Sequence, residues 1–227
     1  DGVLFQSSRG IYLLSRGLTV EYAGQPVEGF NDEFIIAAGI APNSNQIRFH
    51  TKSGLIMVYD YDNGAWHTHQ TSASKHALID DGTHVYVNKQ DQVLVETPGV
   101  YTDDGEEYGL EVETAWLSMR SKQGYQRISW AYLLGDFEDK HDLTVKLYKD
   151  YEEEPFQVID VSASEFTGRN GTVHQLRFKP SIQKMQTIKF RFEEKNSSGA
   201  GMTLNTLSLV LEDIPEGMAK LSGRRTR

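Results

Sequence analysis

The sequence predicts an all-β protein, with partial β-propeller blades first and an antiparallel β-sandwich-like domain after them. Three observations carry this. Short alternating or β-branched runs follow one another almost from end to end, and no stretch of about a dozen residues keeps a helical period. The dipeptides Asn63-Gly64, Asp81-Gly82, Asp104-Gly105 and Asn170-Gly171 supply the positive φ angles that tight hairpin turns need. A pattern in the first hundred residues also recurs.

The recurring pattern begins at Phe5, where aromatic, hydroxyl, base, Gly10 and an apolar run (Ile11 to Leu14) follow in order. The same order returns from Phe49 through Gly54 to Val58, and a third copy from Tyr86 to Val95 keeps the aromatic, Lys89 and the apolar run, with Asp91 replacing the turn glycine. The spacings are about 44 and 37 residues, the range in which a four-stranded propeller blade recurs. Each copy reads as a strand, a tight turn and a second strand. The first strand's aromatic is expected to pack inward, and the second strand is expected to be apolar on both faces. The second copy continues through Tyr59 and Asp60 to a hairpin at Asn63-Gly64 and then Trp66, whose large apolar body suits a cover over the packing between adjacent blades. The structural blade motif is therefore Phe5, Gly10, Phe49, Gly54, Tyr59, Asp60 and Trp66. An unrelated β-meander would produce similar hairpins.

Residues 97–107 are rich in turn formers and acids and read as a linker, so the expected domains are 1–100 for the blades, 101–214 for the sandwich-like region and 215–227 for a flexible basic tail. Beyond the linker, strands are expected over 109–118, 127–134, 143–149, 156–161, 173–178, 187–193 and 204–211, a spacing that suggests a sandwich. Alternation in Leu143-Thr144-Val145-Lys146-Leu147 and Ile188-Lys189-Phe190-Arg191-Phe192 gives each of those strands one wet and one dry face. Three blades do not close a ring, and the chain does not begin with Met. We therefore expect it to be the C-terminal portion of something longer.

Composition removes several chemistries. The 227 residues include no cysteine, which excludes disulfides, thiolate nucleophiles and Cys-based zinc sites. A formal charge of −9 disfavours a sequence-independent grip on nucleic acid. No apolar run is long enough to span a bilayer, so no membrane partner is expected. The basic concentration at Lys220, Arg224, Arg225 and Arg227 reads as a solvated tail.

Candidate chemistry is sparse. His67, His69, His76 and His84 cluster in sequence, and His67-Thr68-His69 sets two imidazoles on one strand face as some metal sites do; without a third ligand and outer support the plain reading is an exposed polar face, and no metal is expected. The acids at Asp103, Asp104, Glu106 and Glu107, at Asp136, Glu138 and Asp139, and at Asp150, Glu152, Glu153 and Glu154 read as solvated loops, since no calcium-loop spacing is present. No nucleophile, zincin or phosphate-loop signature occurs, so catalytic residues, cofactors and an enzymatic role are not expected. Trp116, Trp130 and Tyr132 are ligand-facing candidates, because flat rings stack on pyranose faces, though core packing competes with that reading.

The string from Gly10-Ile11-Tyr12-Leu13-Leu14 through Glu21-Tyr22-Ala23-Gly24-Gln25-Pro26-Val27-Glu28, followed by Val58-Tyr59-Asp60-Tyr61 and Trp66, resembles the packaged-DNA stabilisation, or tail nozzle, proteins of short-tailed bacteriophages over residues 3–100. The resemblance implies a structural virion protein of the phage tail, assembled in the host bacterial cytoplasm. It would form a homo-oligomeric ring with other tail and portal-adaptor proteins and retain packaged DNA until genome ejection. DNA would pass through the lumen without specific binding, and an acidic wall suits sliding. The alternative is a β-sandwich binding module that recognises host-surface glycan.

Overall fold

The computed structural model describes residues 2–70, 75–79, 83–88, 90–97, 99–103, 105–118, 127–137, 141–162, 173–182, 185–196 and 201–212. The turns at Asp81-Gly82 and Asn170-Gly171, the acids Asp104, Glu138 and Asp139, and the basic tail lie outside them. The described residues are almost entirely antiparallel strand, with two short 3-10 turns and no α-helix. Among the described residues no helix is long and apolar enough to cross a membrane. The chain divides into two compact units, Asp1–Pro98 and Gly99–Arg227.

The first unit is three sheets, each a meander in chain order. Strands β1 (Gly2–Ser7), β2 (Gly10–Ser15) and β3 (Val20–Tyr22) form the first. A 3-10 turn over Gln25–Phe30, opened by Pro26, leads to the four-stranded second sheet of β4 (Ile35–Ala41), β5 (Gln46–Thr51), β6 (Leu55–Asp60) and β7 (Ala65–Gln70). Strands β8 (Lys75–Leu78), β9 (His84–Val87) and β10 (Val93–Val95) form the third. The sequence repeat is thus the hairpins β1–β2, β5–β6 and β9–β10. Their turns share one device, a left-handed residue at the same aligned place: Gly10 at φ 115°, Gly54 at 95° and Asp91 at 58°. A short polar side chain is among the few that take this conformation at tolerable cost, which is why aspartate substitutes for glycine there.

One expectation fails in the first copy. Phe5 is 38% exposed, whereas its counterpart Phe49 is 3% exposed. The cause is register. Phe5 faces Tyr12 across a hairpin with two turn residues between Ser7 and Gly10, whereas Phe49 faces Met57 across a hairpin with three, residues 52–54. A one-residue slip exchanges the two faces of a strand. Leu4 therefore takes the inward place in β1, packing with Ile11, Val27, Phe49, Leu55 and Met57 in the core shared by the first two sheets.

In the second unit, β11 (Thr102–Asp103) and β12 (Glu106–Glu107) form a small hairpin where a plain linker was expected. The expected strand over 109–118 is two short pieces, β13 (Glu111–Glu113) and β14 (Leu117–Ser118), both paired to β19 (Thr187–Asn196). Between them in the chain come β15 (Arg127–Phe137), β16 (His141–Lys149), β17 (Gln157–Val161) and β18 (Val173–Phe178), and β20 (Met202–Glu212) closes the described chain. A five-stranded sheet holds β13, β14, β19, β16 and β17; a three-stranded sheet runs β18-β15-β20. Their inward residues meet in one core: Ile128, Ala131 and Leu133 from β15, Leu143, Val145 and Leu147 from β16, Ile188, Phe190 and Phe192 from β19, with Phe178 and Met185. The alternation read in β16 and β19 is what divides this core from the charged outer face.

Candidate functional site

Of the blade-motif residues, Phe49, Gly54, Tyr59, Asp60 and Trp66 lie along β5–β7 and the turn between β5 and β6, whereas Phe5 and Gly10 lie on β1 and β2. Trp66 is half-buried, with its ring 5.9 Å from Phe49 and 5.0 Å from Tyr59, and it packs against the core shared by the first two sheets. Asp60 organises the following turn: Oδ1 accepts from the backbone N–H of Asp62 and Asn63, both at 3.0 Å, and Oδ2 accepts from Asn63 Nδ2 at 2.8 Å. Those bonds, led by the Asn63 side chain, hold the Asp60 carboxyl below its ordinary range. Gly64, at φ 65°, completes the turn. These residues build the sheet and its packing and leave no reactive group poised.

Of the three aromatic candidates of the second unit, Trp130 and Tyr132 share β15 and the neighbour Arg177, and Trp116 lies against Tyr151. The Arg177 guanidinium lies 4.3 Å from the centre of the Trp130 ring, with Lys179 Nζ at 5.7 Å. Trp116 lies against Tyr151 at 4.8 Å and carries Lys189 Nζ at 5.1 Å. Tyr132, on β15, faces Arg177 and Ser208 in register. Cations over the indoles hold them in cation–π contacts, the use that competes with sugar stacking.

Several acids of the same unit hold the fold. Asp150 Oδ1 accepts from the N–H of Gln186 at 2.6 Å and of Thr187 at 3.1 Å. Asp136 accepts from Asn205 at 3.2 Å. On the outer face of the five-stranded sheet a charge ladder runs across strands: Lys189 to Glu113 at 2.9 Å, Arg191 to Glu111 at 2.9 Å and Lys146 to Glu193 at 2.7 Å. A buried pair, His141 Nδ1 to Glu194 Oε1 at 2.8 Å, sits where β16 meets β19, and the other Glu194 oxygen accepts from Leu110 N–H at 2.9 Å.

The densest chemistry lies in the first unit, at residues that no single stretch of sequence groups together. His50 on β5, His76 on β8 and His84 on β9 each bring one ring nitrogen within 4.8 Å of the others. Ring centres are 3.5 Å apart for His50 and His76, 5.4 Å for His50 and His84, and 5.5 Å for His76 and His84. His50 and His84 are buried and His76 is half-buried. Each ring keeps one buried nitrogen without a hydrogen-bond partner: Nε2 of His50, Nδ1 of His76 and Nε2 of His84. The other nitrogen of His84 lies 3.4 Å from Glu96 Oε2, and Glu96 is in turn gripped by both terminal nitrogens of Arg48.

Burial, then the neighbouring imidazoles and Arg48, push the His50 pKa down to about 3 and the His76 pKa down to about 4. The bond from His84, with those from Arg48, pulls Glu96 down to about 2. At neutral pH the site therefore presents neutral His50 and His76 beside a carboxylate bound to a guanidinium. His76 and His84 belong to the histidine run visible in sequence, but His67 and His69 pack against each other on β7, their ring centres 4.9 Å apart, outside the cluster. His50 was not legible as a partner, because it joins the others only when two sheets come together. No protein-family model matches the chain, and no curated protein matches it in sequence.

Proposed function

We propose that this chain is a structural component of a short-tailed phage virion, of the tail-nozzle type, and that it acts through subunit interfaces without catalysis. The observation that carries the reading is the repeated hairpin: β1–β2, β5–β6 and β9–β10 recur in three successive meander sheets, as the second and third strands of the latter two and the first pair of the first, the middle sheet being four-stranded. Successive short antiparallel sheets of this kind support a reading as propeller blades, which stack on one another through their apolar faces. The core common to the first two sheets supports such stacking, and the two sheets around one core in the second unit support a β-sandwich appendage. Exposed Val3, Leu18, Val20, Phe34 and Ile40 in the first unit support assembly with further protein, since apolar side chains on this scale seek cover. In this reading DNA passes through the ring lumen without specific binding, a role suited to a net charge of −9.

The test is the solution mass of the chain by light scattering across a concentration series, with negative-stain microscopy of whatever assembles. Closed rings, alone or on addition of a phage portal-adaptor complex, support the nozzle reading. A monomer that ignores the adaptor and binds a glycan array through Trp116 or Trp130 overturns it.

A further inference from the structure

We propose that His50, His76 and His84 form a binding site for a divalent transition-metal ion of the zinc class, clamping the second and third sheets of the first unit together. The inference is independent of the virion reading, since it rests only on these side chains.

Three features carry it. The first is the donor set: imidazole nitrogen is a preferred ligand for zinc, copper, nickel and cobalt, and three such donors with an open fourth position make a familiar four-coordinate arrangement. A tetrahedral ion with nitrogen ligands at about 2.1 Å sets those nitrogens roughly 3.4 Å apart. The nitrogens here lie within 4.8 Å of one another, so closing on an ion takes side-chain rotation rather than a change of backbone.

The second feature is the set of unpartnered nitrogens. A buried polar atom without a hydrogen bond costs roughly 1–3 kcal/mol, and each of these three rings carries one. A single ion would satisfy all three. His50 and His84, at 3% and 6% exposure, are buried deeply enough that water does not readily take that role, while half-buried His76 leaves a way in.

The third feature is outer support. Ligating histidines commonly hand their second nitrogen to a carboxylate, which fixes the ring and raises its basicity. Glu96 stands in that position against His84, and Arg48 holds the carboxylate through both of its terminal nitrogens. Arg48 is the cation close to the site, and this pairing offsets its charge. The lowered proton affinities of His50 and His76 fit the same role, since a ligand must be neutral to bind and protons then compete only in acid.

The fourth position would be left to solvent. His50 comes from β5, in the four-stranded sheet, whereas His76 and His84 come from β8 and β9 of the next, so the ion would act as a cross-link between two sheets that otherwise meet where β8 lies against β4.

The experiment is Co2+ and Zn2+ titration of the full chain, free of any polyhistidine tag. The expected result is one equivalent of Co2+ with the intense visible absorption of a four-coordinate ion, displaced by Zn2+, and a first-unit melting temperature that rises with Zn2+. His76→Ala should weaken binding by at least tenfold and abolish the thermal shift, and Glu96→Gln should weaken it about 10- to 100-fold. The double variant His67→Ala, His69→Ala should bind as the parent does. The proposal is overturned if the parent chain takes up no ion at micromolar Zn2+, if Co2+ gives only the weak spectrum of six oxygen ligands, or if binding is lost in the His67, His69 double variant. Should His76→Ala fail to fold, the parent's Co2+ spectrum and the affinity of Glu96→Gln decide the matter.

Discussion

The two units of the chain are both antiparallel β, yet they treat their side chains in opposite ways. In the second unit the long strands β16 and β19 alternate along most of their length and β15 does so beyond an irregularity near Ser129, so apolar residues from two sheets fill one core and charges are spent on an outer ladder. In the first unit the shared core is small, large apolar side chains such as Leu18 and Phe34 stay exposed, and three imidazoles are drawn inside instead. The contrast teaches that strand content alone does not decide self-sufficiency. A unit that fills its own core can carry its charges outside, whereas one with a small core leaves apolar side chains open and holds polar groups where its sheets meet.

Several substitutions sharpen or break that contrast. The largest effect is expected from Phe190→Ala, which empties the most enclosed large side chain of the second unit; a loss of about 3–5 kcal/mol is expected in denaturant melts. Trp116 and Trp130 fluorescence should report it, and a matching shift in a reporter of the first unit, such as Trp66 followed with both other tryptophans replaced by Phe, would break the independence of the two cores.

Gly109→Ala comes next. A Cβ there would stand 1.9 Å from the carbonyl oxygen of Glu194, whose N–H donates to Leu110 and whose carboxylate accepts from it. The strand must back away, so a loss of roughly 1–3 kcal/mol is expected, with hydrogen exchange accelerating across β13 while β16 stays protected.

Acid should act on the first unit through its buried imidazoles. The His50 pKa lies near 3 in the fold and at its ordinary 6.5 in the unfolded chain, and His76 follows the same direction. The unfolded state therefore binds more protons between those values, and stability falls as pH drops through that window. From pH 7 to pH 5 the loss expected from His50 alone is about 2 kcal/mol. Glu96 adds to the loss only below its ordinary 4.5, toward about 2. Thermal melts from pH 7 to 5 check this; replacing His50 by Gln should flatten the slope.

The smallest effect belongs to the ladder. Lys189→Ala, at a pair near the surface, should cost no more than about 1 kcal/mol and should cost less as salt is added. A larger loss would mean that the outer charges of the second unit are structural after all.

Much of the fold was readable because period-2 alternation is a local signal. The strand expected over 173–178 coincides with β18, and those expected around Leu143 and Ile188 fall within β16 and β19. The repeat was readable because a turn's positive φ leaves its mark in residue type, even where Asp91 stands for glycine. Less readable were features that depend on two segments at once. The break between β13 and β14 is set by where each can pair with β19, and the outward turn of Phe5 by one residue of hairpin length. The histidine cluster belongs to the same class. His76 and His84 stand near each other in sequence, but His50 enters only through the meeting of sheets, and the sequence pointed to His67 and His69 because i, i+2 spacing is visible without a fold.

The hairpin length that turns Phe5 outward has a consequence for any attempt to treat the repeats as interchangeable modules. Grafting 49–58 onto 5–14 would import the longer turn along with the aromatic, and the transplanted phenylalanine would then claim the inward place that Leu4 already fills. The copies share a positive φ at the same aligned place in their turns, yet each is a fitted part. A chimera that ignores that single residue of offset would put two side chains into one space and, with Ile56 standing where Tyr12 was, strip Tyr22 of the ring that lies 5.1 Å from it.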